Sequence, residues 1–511
     1  MRARNWLLTV VVVIAIIVVA VVYLRLTRPI GAPARVAAID NRDYFGAVDG
    51  LLKVAQTSVD VILYQSRFYF QYPLSKSNRL LLDLIDAASR GVRVRAILEQ
   101  ADWNTENSEE NRDVWNILQA GGIEAYFDPL ATTSHSKLVI IDGRYVVLGS
   151  SNWSHYSLDI NNEANVIIDS RRVASEFRAY FDDILARSSR TYASALPQVD
   201  ASQCLSTEER YLLLRDVADS AFYDAEENLG LVYFDSIGVA VTESPLEEIL
   251  AVDSLFFEEA AGETLRIVVR RNERHGRVEL EAMDVEKGDT FKRMIQLAES
   301  ERQRARSLPG EPAELSWYEA LRVVPAMNER YANEVIKLVR NSSKRIWVAI
   351  LDARYYGSKP RHATKTKAPG EEPSLTNILL AELVSAEARG VDVRFVCDMG
   401  WRGQPPKSKV EFLRRLSAGG AEVFEDPKDV TTHAKVAIFD DSFVVVGSTN
   451  WSYYALEENN ETAVVIECPE LNMHYADFIR GLGTKRFQPA SASAVMEPTH
   501  TCLVYADPIL D

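Results

Sequence analysis

The sequence predicts an α/β chain built from one unit used twice, with a smaller α+β region between the copies and a single apolar helix in front. Three observations carry that prediction. A set of polar residues, His135, Lys137, Asp142, Gly149, Ser150, Asn152 and Glu163, recurs 298 positions later as His433, Lys435, Asp440, Gly447, Ser448, Asn450 and Glu461, with every internal spacing kept. Strand-like and helix-like runs alternate around both sets in the same order, which argues for an α/β sandwich with a largely parallel sheet. The 131 residues from 191 to 321 match neither copy, and that length suits a small inserted domain.

The first element is the uncharged run Asn5 to Leu24, 20 residues bounded by Arg4 and Arg25. At about 1.5 Å per residue it would span roughly 30 Å, the thickness of a bilayer's hydrocarbon core. Residues 1–34 are therefore expected to be an uncleaved single-pass membrane anchor and linker, with a removed signal peptide as the alternative and the catalytic part on the extracytoplasmic side.

Copy one is expected over 35–190 and copy two over 322–485. Their starts match, Arg35-Val36 and Asn41-Arg42-Asp43-Tyr44 against Arg322-Val323 and Asn328-Glu329-Arg330-Tyr331. An apolar strand follows, Val59 to Tyr64 or Arg345 to Leu351. Next comes a helix, Asn78 to Arg90 or Leu375 to Arg389, stopped by Gly91 or Gly390. The strands Val92 to Leu98 and Val391 to Cys397 come third. A second helix ends in Ala120-Gly121-Gly122 or Ala418-Gly419-Gly420, and each copy passes through Asp-Pro, at 128–129 or 426–427, to the repeated polar set. Copy two gains residues in the loop from Tyr355 to Ser374, whose Lys359, Arg361, Lys365 and Lys367 suit either a phosphate-facing lid or membrane contact, or a plain solvated loop.

The polar set reads as a hairpin. Lys137 to Asp142 and Tyr145 to Ser150 flank Gly143-Arg144, a two-residue loop, so Asp142 is expected opposite Tyr145, His135 opposite Asn152 and Lys137 opposite Ser150. Those four side chains would then share one side of one hairpin. In copy two Asp440 is expected opposite Phe443, His433 opposite Asn450 and Lys435 opposite Ser448. Asp142 and Asp440 fall on the other face and read as turn or orienting residues. Glu163 and Glu461, each after Asn-Asn, head apolar runs that return beside the hairpin, where a carboxylate suits the second imidazole nitrogen. Two imidazoles offer a nucleophile and a separate acid, and two Lys with two Asn offer preorganised donors to the oxygens of a phosphodiester. Of the seven His, only His135 and His433 hold matched positions; His155, His275, His362, His474 and His500 read as surface or structural.

The pattern His-x-Lys-x4-Asp-x6-Gly-Ser-x-Asn, present twice, resembles the phospholipase D superfamily. That resemblance implies two mixed β-sheets flanked by helices, related by a pseudo-twofold axis that forms one active site without a metal or other cofactor. It also implies that one His attacks phosphorus to give a phosphohistidine while the other protonates the leaving oxygen, with Lys137, Lys435, Asn152 and Asn450 neutralising the non-bridging oxygens. By analogy with other tandem members, His135 is the expected nucleophile and His433 the acid.

Charge bears on the substrate. The chain carries −16, and four Arg without acids lie in its first 28 residues, so the remainder is at −20. An acidic body is a poor platform for nucleic acid. The preferred reading is a phosphodiesterase that hydrolyses phospholipid or transfers a phosphatidyl group at a membrane. A membrane-anchored nuclease and a non-enzymatic membrane scaffold are the alternatives. Trp153 and Trp451, next to each Asn, suit a substrate groove or the core. In the insert a helix is expected at Glu208 to Ala218, a hairpin around Leu265 to Met283 and a charged helix from Asp289 to about Leu308. The tail 486–511 reads as loosely ordered, and the four Cys show no metal spacing.

Overall fold

A computed structural model describes residues 31–69, 75–192, 315–357, 374–400, 405–483 and 485–488, with the backbone of five strands between 230 and 284. In copy one the strands are β1 (Ala32–Ala38), β2 (Ser58–Leu63), β3 (Arg93–Leu98), β4 (Glu124–Phe127), β5 (Lys137–Ile141), β6 (Tyr145–Gly149) and β7 (Asn165–Asp169). Its helices are α1 (Asp43–Val54), α2 (Lys76–Ser89), α3 (Thr105–Ala120) and α4 (Arg171–Leu185). The insert contributes β8 (Gly230–Phe234), β9 (Ile237–Val241), β10 (Ser254–Glu258), β11 (Thr264–Asn272) and β12 (Arg277–Asp284). Copy two repeats the pattern with β13 (Tyr318–Pro325), β14 (Arg345–Ile350), β15 (Asp392–Cys397), β16 (Glu422–Glu425), β17 (Lys435–Phe439), β18 (Phe443–Gly447), β19 (Ala463–Glu467) and a short β20 (Lys485–Arg486). Its helices are α5 (Glu329–Asn341), α6 (Leu375–Ala388), α7 (Lys407–Ala418), α8 (Tyr453–Glu457) and α9 (Pro469–Leu482).

One 15-stranded sheet runs β20-β16-β15-β14-β17-β18-β19-β13-β1-β7-β6-β5-β2-β3-β4. Leaving out β20, the order is a palindrome about the β13/β1 seam, where Arg35 pairs with Glu319 and Val36 with Tyr318. The sheet is mixed, as the resemblance implies, rather than largely parallel, as the alternation of strands and helices suggests. Only β2-β3-β4 and β14-β15-β16 are parallel, because only there does a helix carry the chain back over the sheet. The motif strands are joined by tight turns and direct returns, so they run antiparallel.

The motif strands are buried on both faces, which explains their unbroken β-branched runs. Leu138 and Ile140 of β5 point into a core shared by both copies, filled by α4 (Phe177, Phe181) and α9 (Tyr475, Ile479). Val139 and Ile141 point into an outer core closed by α1, α2 and α3, and copy two has the same outer layer under α5, α6 and α7. The helices start and stop by local chemistry. Ser75 caps α2 and Ser374 caps α6, each accepting a backbone N–H three residues on. Gly91 and Gly390, at φ +88° and +89°, end those helices in a conformation that only glycine adopts freely.

The hairpin register is corrected by one residue. Ile141, not Asp142, pairs with Tyr145, and Phe439, not Asp440, pairs with Phe443, so each turn has three residues. The cause is the aspartate itself. Asp142 and Asp440 sit at φ +54° and +47°. Their carboxylates accept the backbone N–H groups of Gln56, Thr57 and Ser58, or of Ser343, Lys344 and Arg345, which draws them out of the ladder.

A second correction concerns the membrane. Among the described residues no helix is long and apolar enough to cross a bilayer, so the single-pass anchor and the extracytoplasmic placement built on it are not supported. The run Asn5 to Leu24 lies outside the described residues, as do the two helices read into the insert, most of the basic loop after Tyr355, and the tail beyond 488. The hairpin expected around Leu265 to Met283 is β11 and β12, paired antiparallel.

Candidate active site

Each copy delivers its histidine on the two residues that precede a central strand, His135 before β5 and His433 before β17. The lysine that opens the strand is 3% exposed in both copies. Its ammonium donates to the backbone carbonyl of its own histidine, Lys137 to His135 and Lys435 to His433, both at 2.6 Å. At the end of the partner strand stands a glycine, because β7 or β19 passes too close for a side chain. A Cβ on Gly149 or Gly447 would lie 2.4 Å from the carbonyl oxygen of Ala164 or Thr462.

Lys137 falls opposite Gly149, so the expected pairings of Lys137 with Ser150 and of His135 with Asn152 are shifted by one residue. The cluster is assembled between copies. The Asn-Asn-Glu phrase of each copy is bonded to the segment that leads into the other copy's histidine. Asn162 donates its N–H to Thr431 O and accepts from the N–H groups of His433 and Ala434, all at 2.9 Å. Asn460 donates to Thr133 O at 2.9 Å, and its carbonyl accepts from Ser136 Oγ at 3.2 Å.

That crossing exchanges the carboxylates. His135 Nδ1 lies 3.0 Å from Glu461 Oε2, and His433 Nδ1 lies 2.9 Å from Glu163 Oε2. Each glutamate is fully buried and also takes the hydroxyl of the serine of its own copy, Ser150 to Glu163 and Ser448 to Glu461. With Nδ1 engaged, Nε2 is the nitrogen left for chemistry on either ring. Asn152 and Asn450 each keep a buried side-chain oxygen with no hydrogen-bond partner. Asp142 and Asp440 lie in their turns, away from this cluster.

Burial dominates the electrostatics of the cluster. Burial, and then the neighbouring Lys435, pushes the Lys137 ammonium well below its ordinary range. Burial pulls Lys435 down to about 8. Burial also lowers both imidazoles, His135 to about 4, against the pull of the facing glutamate. For Glu163 burial works upward, yet the charges of His433 and Lys435 and the Ser150 hydroxyl hold it down at about 2. Buried cations that repel one another regain their charge when a phosphate sits between them. Among the described residues no group of three or more His, Cys, Asp or Glu is arranged to hold a metal ion.

One nearby residue escaped the sequence reading. The Tyr64 ring meets His135 edge-on at 4.5 Å between centroids and carries the Lys137 ammonium 4.4 Å from its centre. It follows Leu63, which pairs with Lys137, so its place at the strand end was the available signal. Leu351 follows Ile350, the partner of Lys435, so the two halves of the site are not equivalent. Trp153 and Trp451 belong to the core, fully buried and bonded to Tyr44 and Tyr331 at 3.0 and 2.9 Å. His155 pairs with Asp159 on the surface, His474 pairs with Asp40, and the remaining three His lie outside the described residues.

Known proteins resemble segments of both copies. A family model described as "Cardiolipin synthase, PLD-like domain" matches residues 49–185 and 373–482, one segment in each copy. Cardiolipin synthase B of Shigella flexneri is 31% identical over 149 residues, 29% of this chain and 34% of that protein. Mitochondrial cardiolipin hydrolase of Chlamydomonas reinhardtii is 32% identical over 101 residues, 20% of this chain and 43% of the relative. A phospholipase D of Rickettsia bellii is 29% identical over 126 residues, 25% of this chain and 58% of the relative. The match thus spans about a third to three fifths of these relatives' lengths. The polar set, present twice, and a family match in each copy make both matched segments phospholipase D-like domains.

Proposed function

We propose that this protein is a metal-independent phosphodiesterase that hydrolyses phospholipid, or transfers its phosphatidyl group to an alcohol, at one site to which 35–190 and 322–485 both contribute. The observation that carries this reading is the exchange of glutamates. Each histidine is held by a carboxylate of the other copy, so neither copy owns a complete His–Glu pair. Phospholipid is the favoured substrate because the curated relatives are named for cardiolipin and phospholipase D chemistry and the chain's net charge of −16 is ill suited to nucleic acid.

The residues divide the work as follows. His135, neutral because burial keeps its imidazole down, donates Nδ1–H to Glu461 and attacks phosphorus with the Nε2 lone pair. The bond from phosphorus to the leaving oxygen breaks, and His433, which gains a proton when the anionic diester binds beside it, gives that proton to the oxygen. Lys137, Lys435 and the amides of Asn152 and Asn450 donate to the equatorial oxygens as negative charge spreads there, the task a metal performs elsewhere. Water or an alcohol then attacks phosphorus, His433 takes its proton, and the phosphorus–nitrogen bond breaks to restore His135.

The test is an alkaline quench during turnover of a short-chain phospholipid, followed by mass spectrometry of the histidine peptides. A phosphatidyl adduct on His135 is expected. An adduct on His433 reverses the two roles, and turnover with no adduct on either removes the covalent route.

A further inference from the structure

The glutamates that hold the histidines are themselves held, and by the same device in both copies. Asn41 donates its backbone N–H to Glu163 O at 3.1 Å and accepts the Glu163 N–H on its side-chain oxygen at 2.8 Å. Asn328 does the same for Glu461, at 3.3 and 2.9 Å. Each asparagine grips both polar groups of the glutamate's backbone, leaving the carboxylate to the histidine of the other copy.

Both asparagines hold an unfavourable backbone to do this. They lie at φ +50° and +51°, and Asn328 has ψ −128°, a region that side chains avoid and glycine occupies readily. Strain of that kind persists where the surroundings enforce it and clusters at functional sites. Asn328 also stands at the N-cap of α5, where asparagine ordinarily bonds to the helix, yet its side chain makes no capping bond. Its oxygen is turned to Glu461 and to the Tyr180 hydroxyl at 3.4 Å, and Tyr180 bonds in turn to Ser136, next to His135. Around His135 the bonds thus close a ring through Glu461, Asn328, Tyr180 and Ser136.

We propose that Asn41 and Asn328 are positioning residues, each fixing through a glutamate's backbone the ring nitrogen that the opposite copy's histidine presents to the substrate. Asn41 serves His433 through Glu163, and Asn328 serves His135 through Glu461. The inference rests on the two-histidine mechanism proposed above.

Asn41→Gly and Asn328→Gly remove the amide while suiting the backbone, so relief of the positive φ offsets part of the loss of one hydrogen bond to a glutamate N–H, and the full chain stays folded with at most a modestly lower melting temperature. The kcat on phospholipid falls by about 10–100-fold, the usual effect of loosening the group that orients a functional imidazole, and KM stays unchanged. A second readout needs no turnover. The 15N shifts of the ring nitrogens report which one carries the proton, and with seven His in the chain the two site rings can be assigned by His135→Gln and His433→Gln. Asn328→Gly is expected to mix the tautomers of His135 and leave His433 alone, and Asn41→Gly to do the reverse. Unaltered ring shifts in both variants overturn the proposal, as does full kcat. An unmodified protein that turns over no phosphodiester overturns the functional reading, while the ring shifts still decide the positioning role.

Discussion

Replacing Glu461 by Gln separates a site shared between copies from two sites side by side. The His135 Nδ1 to Glu461 Oε2 contact is 3.0 Å, and the carboxylate is fully buried. Because His135 is neutral at pH 7, with its imidazole held near 4, the contact is a neutral N–H donating to a carboxylate. A hydrogen bond to a charged group contributes about 1.5–3 kcal/mol. In a double-mutant cycle with His135→Gln and Glu461→Gln, read from urea unfolding at pH 7, the coupling should be of that size. The cycle of His135 with Glu163, the carboxylate of its own copy, should give less than about 0.5 kcal/mol. In the otherwise unmodified enzyme, Glu461→Gln should lower kcat by about 10–150-fold, the same energy expressed as a rate. Coupling that is larger for the pair within one copy would refute the reasoning.

Further expectations concern pH and stability. The nucleophile must be unprotonated, so the acid limb of kcat/KM should fall as pH drops through about 4, below the range of an ordinary histidine. Burial and the nearby Asp128 raise the Glu99 carboxyl from 4.5 to about 8. A raised carboxyl favours the fold fully below its unfolded value, and that contribution is lost as pH rises toward 8. Glu99→Gln should therefore match the unmodified protein at pH 4 and exceed it by roughly 2–4 kcal/mol at pH 8 in urea unfolding. Asp142→Ala frees three backbone N–H groups at the motif turn and should cost roughly 1–3 kcal/mol in the same measurement. Gly149→Ala forces a methyl against the Ala164 carbonyl and should lower the melting temperature by several degrees, as expected for an overpacking cost of about 1–3 kcal/mol.

Much of the fold is local and therefore legible. Helix α2 begins where Ser75 can cap it and ends where Gly91 can turn, and the alternation of strands and helices follows from such signals in both copies. The parallel sheet was misjudged because periodicity locates a strand but says nothing of its neighbour's direction, which here is set by whether a helix or a turn intervenes. The register slipped for a related reason. Asp142 reads as the last residue of a strand, and only the unpaired amides of 56–58 draw it into the turn. Glu163 was singled out as a carboxylate for an imidazole, but its partner depends on the crossing at Asn162 and Thr431, a contact between residues 269 apart that no spacing reveals. Asn41 and Asn328 were visible as matched letters at the head of each copy, with nothing in the sequence to say that their backbones are strained. The apolar run at Asn5 to Leu24 has the length of a membrane span, yet among the described residues no helix supports an anchor.

The most direct test of the account is turnover by the full chain in EDTA on mixed phospholipid vesicles and, in parallel, on single-stranded DNA, with His135→Ala and His433→Ala alongside. Release of phosphatidic acid or a transphosphatidylation product, abolished in each variant, is the predicted result. Half the activity in either variant would contradict a single composite site, and cleaved DNA beside inert lipid would contradict the substrate.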